Sequence, residues 1–183
     1  YGSIPSTMDV TSISFNTADG TSRFTQALLD YVRSTGDMAF ATAMYPVLKR
    51  SIEGTLRYHA DSLYFLTHGD AETWMDAVGP DGPWSPRGNR ANDIQAMWYE
   101  QLRAGVIFAK LMNVSGNENA TIAKWSGIAD TLSRNFQSFF VDKESGLIFD
   151  HLNPDGTPDR QLRPNQLFDR RLIMDPAVRQ HVF

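Results

Sequence analysis

The residues able to do chemistry gather between positions 71 and 87, where AETWMDAVGPDGPWSPR carries Glu72, Trp74, Asp76, Asp81, Trp84 and Arg87. Aromatic faces stack on the apolar face of a pyranose ring and carboxylates accept its hydroxyl protons, so these residue types in one loop suit a sugar site. Glycoside hydrolysis asks for only two positioned carboxyl groups. One, protonated, donates to the leaving oxygen; the other activates water or attacks the sugar. Other chemistries find less support. The four histidines are scattered, no serine sits in a nucleophile-elbow pattern, and neither HExxH nor a His/Asp cluster suggests a metal. The same loop also admits a structural reading, with Asp76 capping a turn and Trp74 and Trp84 anchoring it through indole N–H bonds to backbone.

Helices must position this loop. Phe24, Ala27, Leu28, Tyr31 and Val32 recur at helical spacing, and Thr35-Gly36 ends the run. Asp37 suits the N-cap of a second run reaching about His59, which Pro46 must kink or divide. Residues 62–90 lose the period and fill with Gly, Pro, Asp and Trp, a long irregular connection of the kind that carries function. Period returns from Ile94 to Met112 and from Ile122 to Phe139, separated by NVSGNEN. Residues 141–166 read as a polar loop with a short strand pair around Leu147–Phe149, and Pro164 suits the first turn of a last helix through about Met174. The spacing predicts an all-α fold of helices in series with two long loops. Trp125, Phe136, Phe139 and Phe140 together present an aromatic surface that a five- or six-helix piece is expected to leave partly wet, calling for further neighbours or oligomerisation.

Composition narrows the partners. A net charge of −4 with spread Arg and Lys gives no footprint for a phosphate backbone, so nucleic acid is not expected. No stretch approaches the roughly 20 apolar residues that span a bilayer, so no membrane partner is expected. Without cysteine there are no disulfides or thiolate metal sites. NPDGTPD, residues 153–159, lacks the spacing of a calcium loop and reads as a turn. Trp98 and Trp125 fall on apolar helix faces and read as core.

Three stretches, in order, resemble the glycogen-debranching, amylo-α-1,6-glucosidase family. HGDAETWMDAVGPDGPWSPRGNRANDIQAMWYEQL, residues 68–102, is similar to its signature region: a TWMDA-type turn, a Pro-Arg pair, and an acidic-Ile-Gln-Ala helix start. FNTADGTSRF, residues 15–24, is similar to the family's Asn-Thr-x-Asp segment, and LRPNQLF, residues 162–168, to its Arg-Pro-Asn-Gln segment. The resemblance implies part of an (α/α)6 toroid with substrate bound by inter-helix loops at one end. It implies removal of single α-1,6-linked glucose branches from glycogen-like α-glucans with inversion, without a cofactor. Asp76 would be the general acid in a pocket whose burial raises its pKa. Asp19 would bind hydroxyls of the terminal glucose and Trp74 would stack on it. Arg87, Asp93, Arg163, Asn165 and Gln166 would line the same pocket. Asp93 stands where the family has glutamate, one methylene longer, and Arg23 where it usually has tryptophan.

In that family the catalytic base lies well beyond the Arg-Pro-Asn-Gln segment. Twelve helices with connections need about 190 to 260 residues before any long loops. The 183 residues are therefore expected to be one segment, about half of a catalytic domain that continues beyond both ends, and inactive by itself; the remainder of the domain is the expected partner. Trehalase, glucoamylase and processing α-glucosidase types share the toroid, and a non-catalytic carbohydrate-binding module is the rival of a different class. Among the bland alternatives, Arg163 pairs with Asp159 or Asp169, Asp19 caps a helix, and His68 and His151 are hydrogen-bonding loop residues.

Overall fold

The computed structural model describes residues 17–183 and the backbone of two short antiparallel strands, β1 (Thr7–Met8) and β2 (Ile13–Ser14). Phe15 and Asn16 of the first motif segment lie outside the described residues. Four long helices follow: α1 (Gly20–Thr35), α2 (Met38–Tyr58), α3 (Asn92–Met112) and α4 (Asn119–Phe140).

The helix ends follow from local chemistry. Gly36 adopts φ 68° and stops α1, a left-handed conformation that a side chain resists. Asp37 accepts from the Phe40 N–H and caps α2, as its sequence position suggests. α2 then runs unbroken through Pro46, so the proline does not start a second helix.

α3 is the hub. It packs on α1, α2, α4 and a later 3₁₀ helix, and every residue from Asn92 to Tyr99 is buried. Trp98, Leu102 and Phe108 are wholly buried on it, as are Trp125, Leu132, Phe136 and Phe140 on α4. Each such side chain contributes on the order of 1.5–3 kcal/mol of hydrophobic stabilisation. Close approach has a requirement of its own at Gly105, where an added Cβ would lie 2.3 Å from Ile52 Cδ1 and 3.0 Å from Trp125. Three polar side chains trapped between helices satisfy one another: Ser22 donates to Gln101 Oε1 at 2.8 Å, and Gln101 Nε2 donates to Ser51 at 3.0 Å, linking α1, α3 and α2.

The aromatic surface expected on α4 is covered within this chain. Trp125, Phe136 and Phe140 have no exposure, and Phe139 alone is half exposed at 46%. Leu172 and Ile173, both wholly buried, join that core from a segment that sequence periodicity did not assign to it.

Two long connections hold the short strands. The first contains a hairpin, β3 (Val78–Gly79) and β4 (Gly82–Pro83), and ends in β5 (Arg90–Ala91). The second supplies β6 (His151–Leu152) and β7 (Pro158–Asp159), and the three strands pair antiparallel in the order β5-β6-β7. The strand pair expected around Leu147–Phe149 is instead a single bridge between Val141 and Ile148. The expected last helix also differs. Pro164 opens a 3₁₀ helix, Pro164–Arg171, and a separate short α5 (Pro176–Val182) follows, capped by Asp175. PNQLFDRR buries Asn165 and Asp169 and leaves Leu167 and Phe168 exposed, so no apolar stripe at α period holds the segment down.

Candidate active site

The two long connections and the start of α3 meet over a buried ionic clasp. Arg87, with no exposure, places Nη2 2.9 Å from Asp93 Oδ1 and Nε 2.9 Å from Asp150 Oδ2, both carboxylates being equally buried. Asp93 Oδ2 accepts from Trp74 Nε1 at 2.9 Å and from Asn165 Nδ2 at 3.1 Å. Asp150 Oδ2 also lies 3.3 Å from Arg163 Nε and 2.9 Å from His151 Nδ1. The Nε–H groups of Arg87 and Arg163 lack the direction of a hydrogen bond, so charge and proximity hold them to Asp150. Met75 Sδ fills the space between Arg87 Nη1, at 3.3 Å, and Asn165 Nδ2, at 3.7 Å.

By charge the clasp balances two guanidiniums against Asp93 and Asp150. Asp169 is a third acid beside it, wholly buried, with neither carboxyl oxygen hydrogen-bonded to the described residues. Burial, then the Asp93 charge, push its pKa well above the usual carboxylate range against the opposing pull of Arg87. Asp150, His151 and Asp159 do come together, with one ligand-type atom each inside 4.8 Å, a cluster that sequence spacing does not reveal. Two guanidiniums on the same Asp150 carboxylate oppose a cation there.

His68 ties the loop to the helix start. Its Nε2 accepts from the Ala91 N–H at 2.8 Å and its Nδ1 lies 2.8 Å from the Gly69 carbonyl, which fixes a neutral ring with the proton on Nδ1. Burial lowers its pKa, against the Gly69 carbonyl and the Asp93 and Glu72 charges, which act to raise it. The Glu72 carbonyl accepts from Ala18 N–H at 2.7 Å, joining the same loop to the entrance of α1.

Beside the clasp lies an open cleft of about 480 Å³, lined by Arg23, Trp74, Pro164, Asn165, Leu167 and Phe168. All three family-like segments therefore contribute a wall. Trp74 is 49% exposed, so its indole N–H is held inward by Asp93 while much of the ring stays open. The bland reading of Trp74 as a buried, backbone-bonded anchor does not hold, and Trp84, 76% exposed, is not buried either.

Several expected contacts need correction. Arg87 and Asp93 are sealed within the clasp and do not line the cleft; pairing with Trp74 and Asn165 leaves Asp93 no access to a substrate. Asp19 is buried with Oδ1 taken by the Thr17 hydroxyl at 2.6 Å and Oδ2 by Arg23 Nε at 2.7 Å, and it makes no side-chain cap to α1. The arginine in the family's tryptophan position thus consumes the acid expected to bind sugar. Asp76 is exposed rather than buried, and its carboxylate has no hydrogen bond or ion pair among the described residues. It also makes no turn-capping bond. Asn165 lines the cleft, Arg163 pairs with Asp150 and with Gln161 at 2.9 Å rather than with Asp159 or Asp169, and Gln166 is partly buried with Oε1 unpartnered. His68 is the hydrogen-bonding loop residue that the sequence suggests, while Asp150 escapes sequence reasoning because only tertiary contact gives it Arg87 and Arg163. The one legible signal was IFDHL, an acid inside an otherwise strand-like run.

Comparison with known proteins adds to this geometry. A GH78 family rhamnosidase of Bacillus sp. GL1 superposes with TM-score 0.72 at 18% identity, covering 90% of this chain and 16% of that one. A rhamnosidase from Klebsiella oxytoca with rhamnose bound superposes with TM-score 0.71 at 16% identity, covering 98% of this chain and 33% of that one. The chain thus spans a third or less of each neighbour's length, and the likeness shows the fold, part of an (α/α) toroid. No curated protein matches the sequence. A family model described as amylo-alpha-1,6-glucosidase matches residues 1–182. With that match running over nearly the whole chain and its three segments converging on one cleft, the chain belongs to the amylo-alpha-1,6-glucosidase family, a family of (α/α)-type glycoside hydrolases.

Proposed function

We propose that this chain is part of the catalytic domain of a glycoside hydrolase that removes single α-1,6-linked glucose residues from glycogen-like or limit-dextrin α-glucans, with inversion. The observation that carries the reading is the cleft walled by Arg23, Trp74 and Asn165, residues from three separate segments that each resemble the same family.

On this reading the terminal glucose stacks on Trp74, whose ring plane is set by the Asp93 bond. Asp76, two residues along and free of partners, is the general acid, giving its proton to the glycosidic oxygen as the C–O bond breaks. A water enters from the opposite ring face, its proton taken by a base supplied by the rest of the domain. Inversion requires the two carboxyls to stand about 6.5–9.5 Å apart, leaving room for that water. Asp93, Arg87 and Asp150 act as positioning residues that hold Trp74 and Asn165 at the cleft.

A second reading keeps the mechanism and changes the sugar. Pro164, Leu167 and Phe168 give the cleft apolar walls, which suit the methyl group of a 6-deoxyhexose, and both structural neighbours are rhamnosidases.

The test uses the full-length protein, wild type and Asp76→Asn, with a maltooligosaccharide bearing one α-1,6-glucosyl branch and, in parallel, an aryl α-rhamnoside. Proton NMR follows the anomer first released. β-Glucose from the wild type and a loss of about a hundredfold or more in the variant support the reading. Rhamnose released in its place moves the substrate to the second reading. Binding without any cleavage assigns the chain to a carbohydrate-binding module.

A further inference from the structure

The hairpin after the proposed acid contains the most exposed tryptophan in the described chain. Trp84 is 76% exposed, yet its position is fixed: its N–H donates to the Ala77 carbonyl at 2.9 Å, and β3 and β4 pair Val78 with Pro83 and Gly79 with Gly82. The nitrogen edge of the indole rests against Gly79, where an added Cβ would lie 2.1 Å from Nε1. A glycine is required there for the ring to sit as it does, with its faces left to solvent.

An indole held in place with most of its surface exposed offers that surface for stacking. The surroundings say what kind of ligand fits. Pro80 and Pro83 flank the ring in a shallow depression of about 250 Å³, and the exposed Asp81 at the turn offers an acceptor for hydroxyls. An aromatic face with apolar flanks and a carboxylate at its edge is the chemistry that recognises a pyranose. Position narrows it further. Ala77 follows Asp76 directly, so the Cα atoms of Asp76 and Trp84 lie within about 10 Å of one another. One oligosaccharide can touch both. The cleft of Trp74 and Arg23 does not include Trp84, so the two tryptophans serve different sugar units.

We propose that Trp84 is a second carbohydrate platform, distinct from the Trp74 cleft, on which the α-1,4-linked glucan chain carrying the branch stacks. This inference rests on the glucan reading of the cleft and adds a leaving-group-side subsite to it. The hairpin gives Trp84 no buried neighbours to lose, so substitution there tests binding rather than folding.

The experiment uses the full-length protein as wild type, Trp84→Ala and Trp84→Phe, with branched maltooligosaccharides of increasing backbone length. For the wild type, KM is expected to fall as the backbone lengthens. Trp84→Ala is expected to raise KM roughly three- to tenfold on the long substrates, leave the shortest unchanged and leave kcat within twofold, with Trp84→Phe restoring most of the loss. A KM for Trp84→Ala equal to that of the wild type at every length overturns the inference and leaves the hydrolytic reading standing. A wild type that binds the chains without releasing glucose removes the hydrolytic reading alone. The same length series, read as Kd by titration calorimetry, then decides: a length dependence lost in Trp84→Ala upholds the platform, and its persistence overturns it.

Discussion

The clasp and the hairpin loop are neighbours in sequence and opposites in physics. Arg87, Asp93 and Asp150 have no exposed surface and spend their charges on one another. Asp76 and Trp84, on the same connection, are exposed and carry side chains with no partner among the described residues. A family-like segment thus contains two kinds of residue, those that hold the loop and those left free to meet a ligand. Residue type does not separate them: Asp76 and Asp93 are both aspartates, and only burial tells the proposed acid from the strut.

The comparison breaks most visibly at Arg87. Arg87→Ala leaves the buried Asp93 without its cation and Asp150 with Arg163 alone, and is expected to cost about 3–5 kcal/mol in urea unfolding of the full-length protein. Arg87→Lys is expected to recover only part of this, since an ammonium cannot span Asp93 and Asp150 as the guanidinium does. An unfolding midpoint unchanged in Arg87→Ala would dissolve the distinction between strut and free acid.

Asp76→Asn is the converse. Its unfolding free energy is expected to stay within about 0.5 kcal/mol of wild type, because nothing in the fold depends on that carboxylate. The same variant is expected to lose hydrolysis.

Asp169 sharpens the comparison through pH. Its folded pKa is raised above 3.8, so between that value and the folded pKa the native state binds more protons than the unfolded one. Stability from this group therefore falls as pH rises through the window. Asp169→Asn removes the titration. Against wild type, the variant is expected to gain in relative stability from about pH 4 towards neutrality, read by thermal unfolding across a pH series.

The smallest effect lies far from the site, at Glu118. The Tyr45 hydroxyl, then the Lys49 ammonium, lower its pKa from 4.5 to about 2. The sign is opposite: this contribution is present above pH 4.5 and is lost as pH falls towards about 2. Glu118→Gln is expected to flatten the acid limb of the stability curve in that interval and leave neutral behaviour nearly unchanged.

The long helices were legible because their apolar residues repeat at helical period and because Gly36 and Asp37 carry end signals that work locally. Pro164–Arg171 was read as an α-helix because a proline at the first turn is a local signal too, but the residues after it lack a stripe to bury. For the site, the resemblance pointed to segments that meet at one cleft, with Asp76 as acid and Asp19, Trp74, Arg87, Asp93, Arg163, Asn165 and Gln166 on the substrate. What it did not carry is pairing. Arg23 takes Asp19, Trp74 takes Asp93, and Asp150, with no motif around it, holds Arg87 and Arg163. The first of these spans one helical turn, but Trp74 and Asp93 are 19 residues apart and Arg87 and Asp150 are 63 apart, separations that no local pattern encodes.

Gly105 bears on motion. Ile52 from α2 and Trp125 from α4 both close over the same missing side chain of α3, so the three helices are keyed together and resist sliding. Shear between them would force Trp125 against a neighbouring backbone turn that has a Cβ. Rearrangement around a bound sugar is therefore directed away from this helical base and towards the exposed stretch between Trp74 and Arg87 that the clasp does not hold.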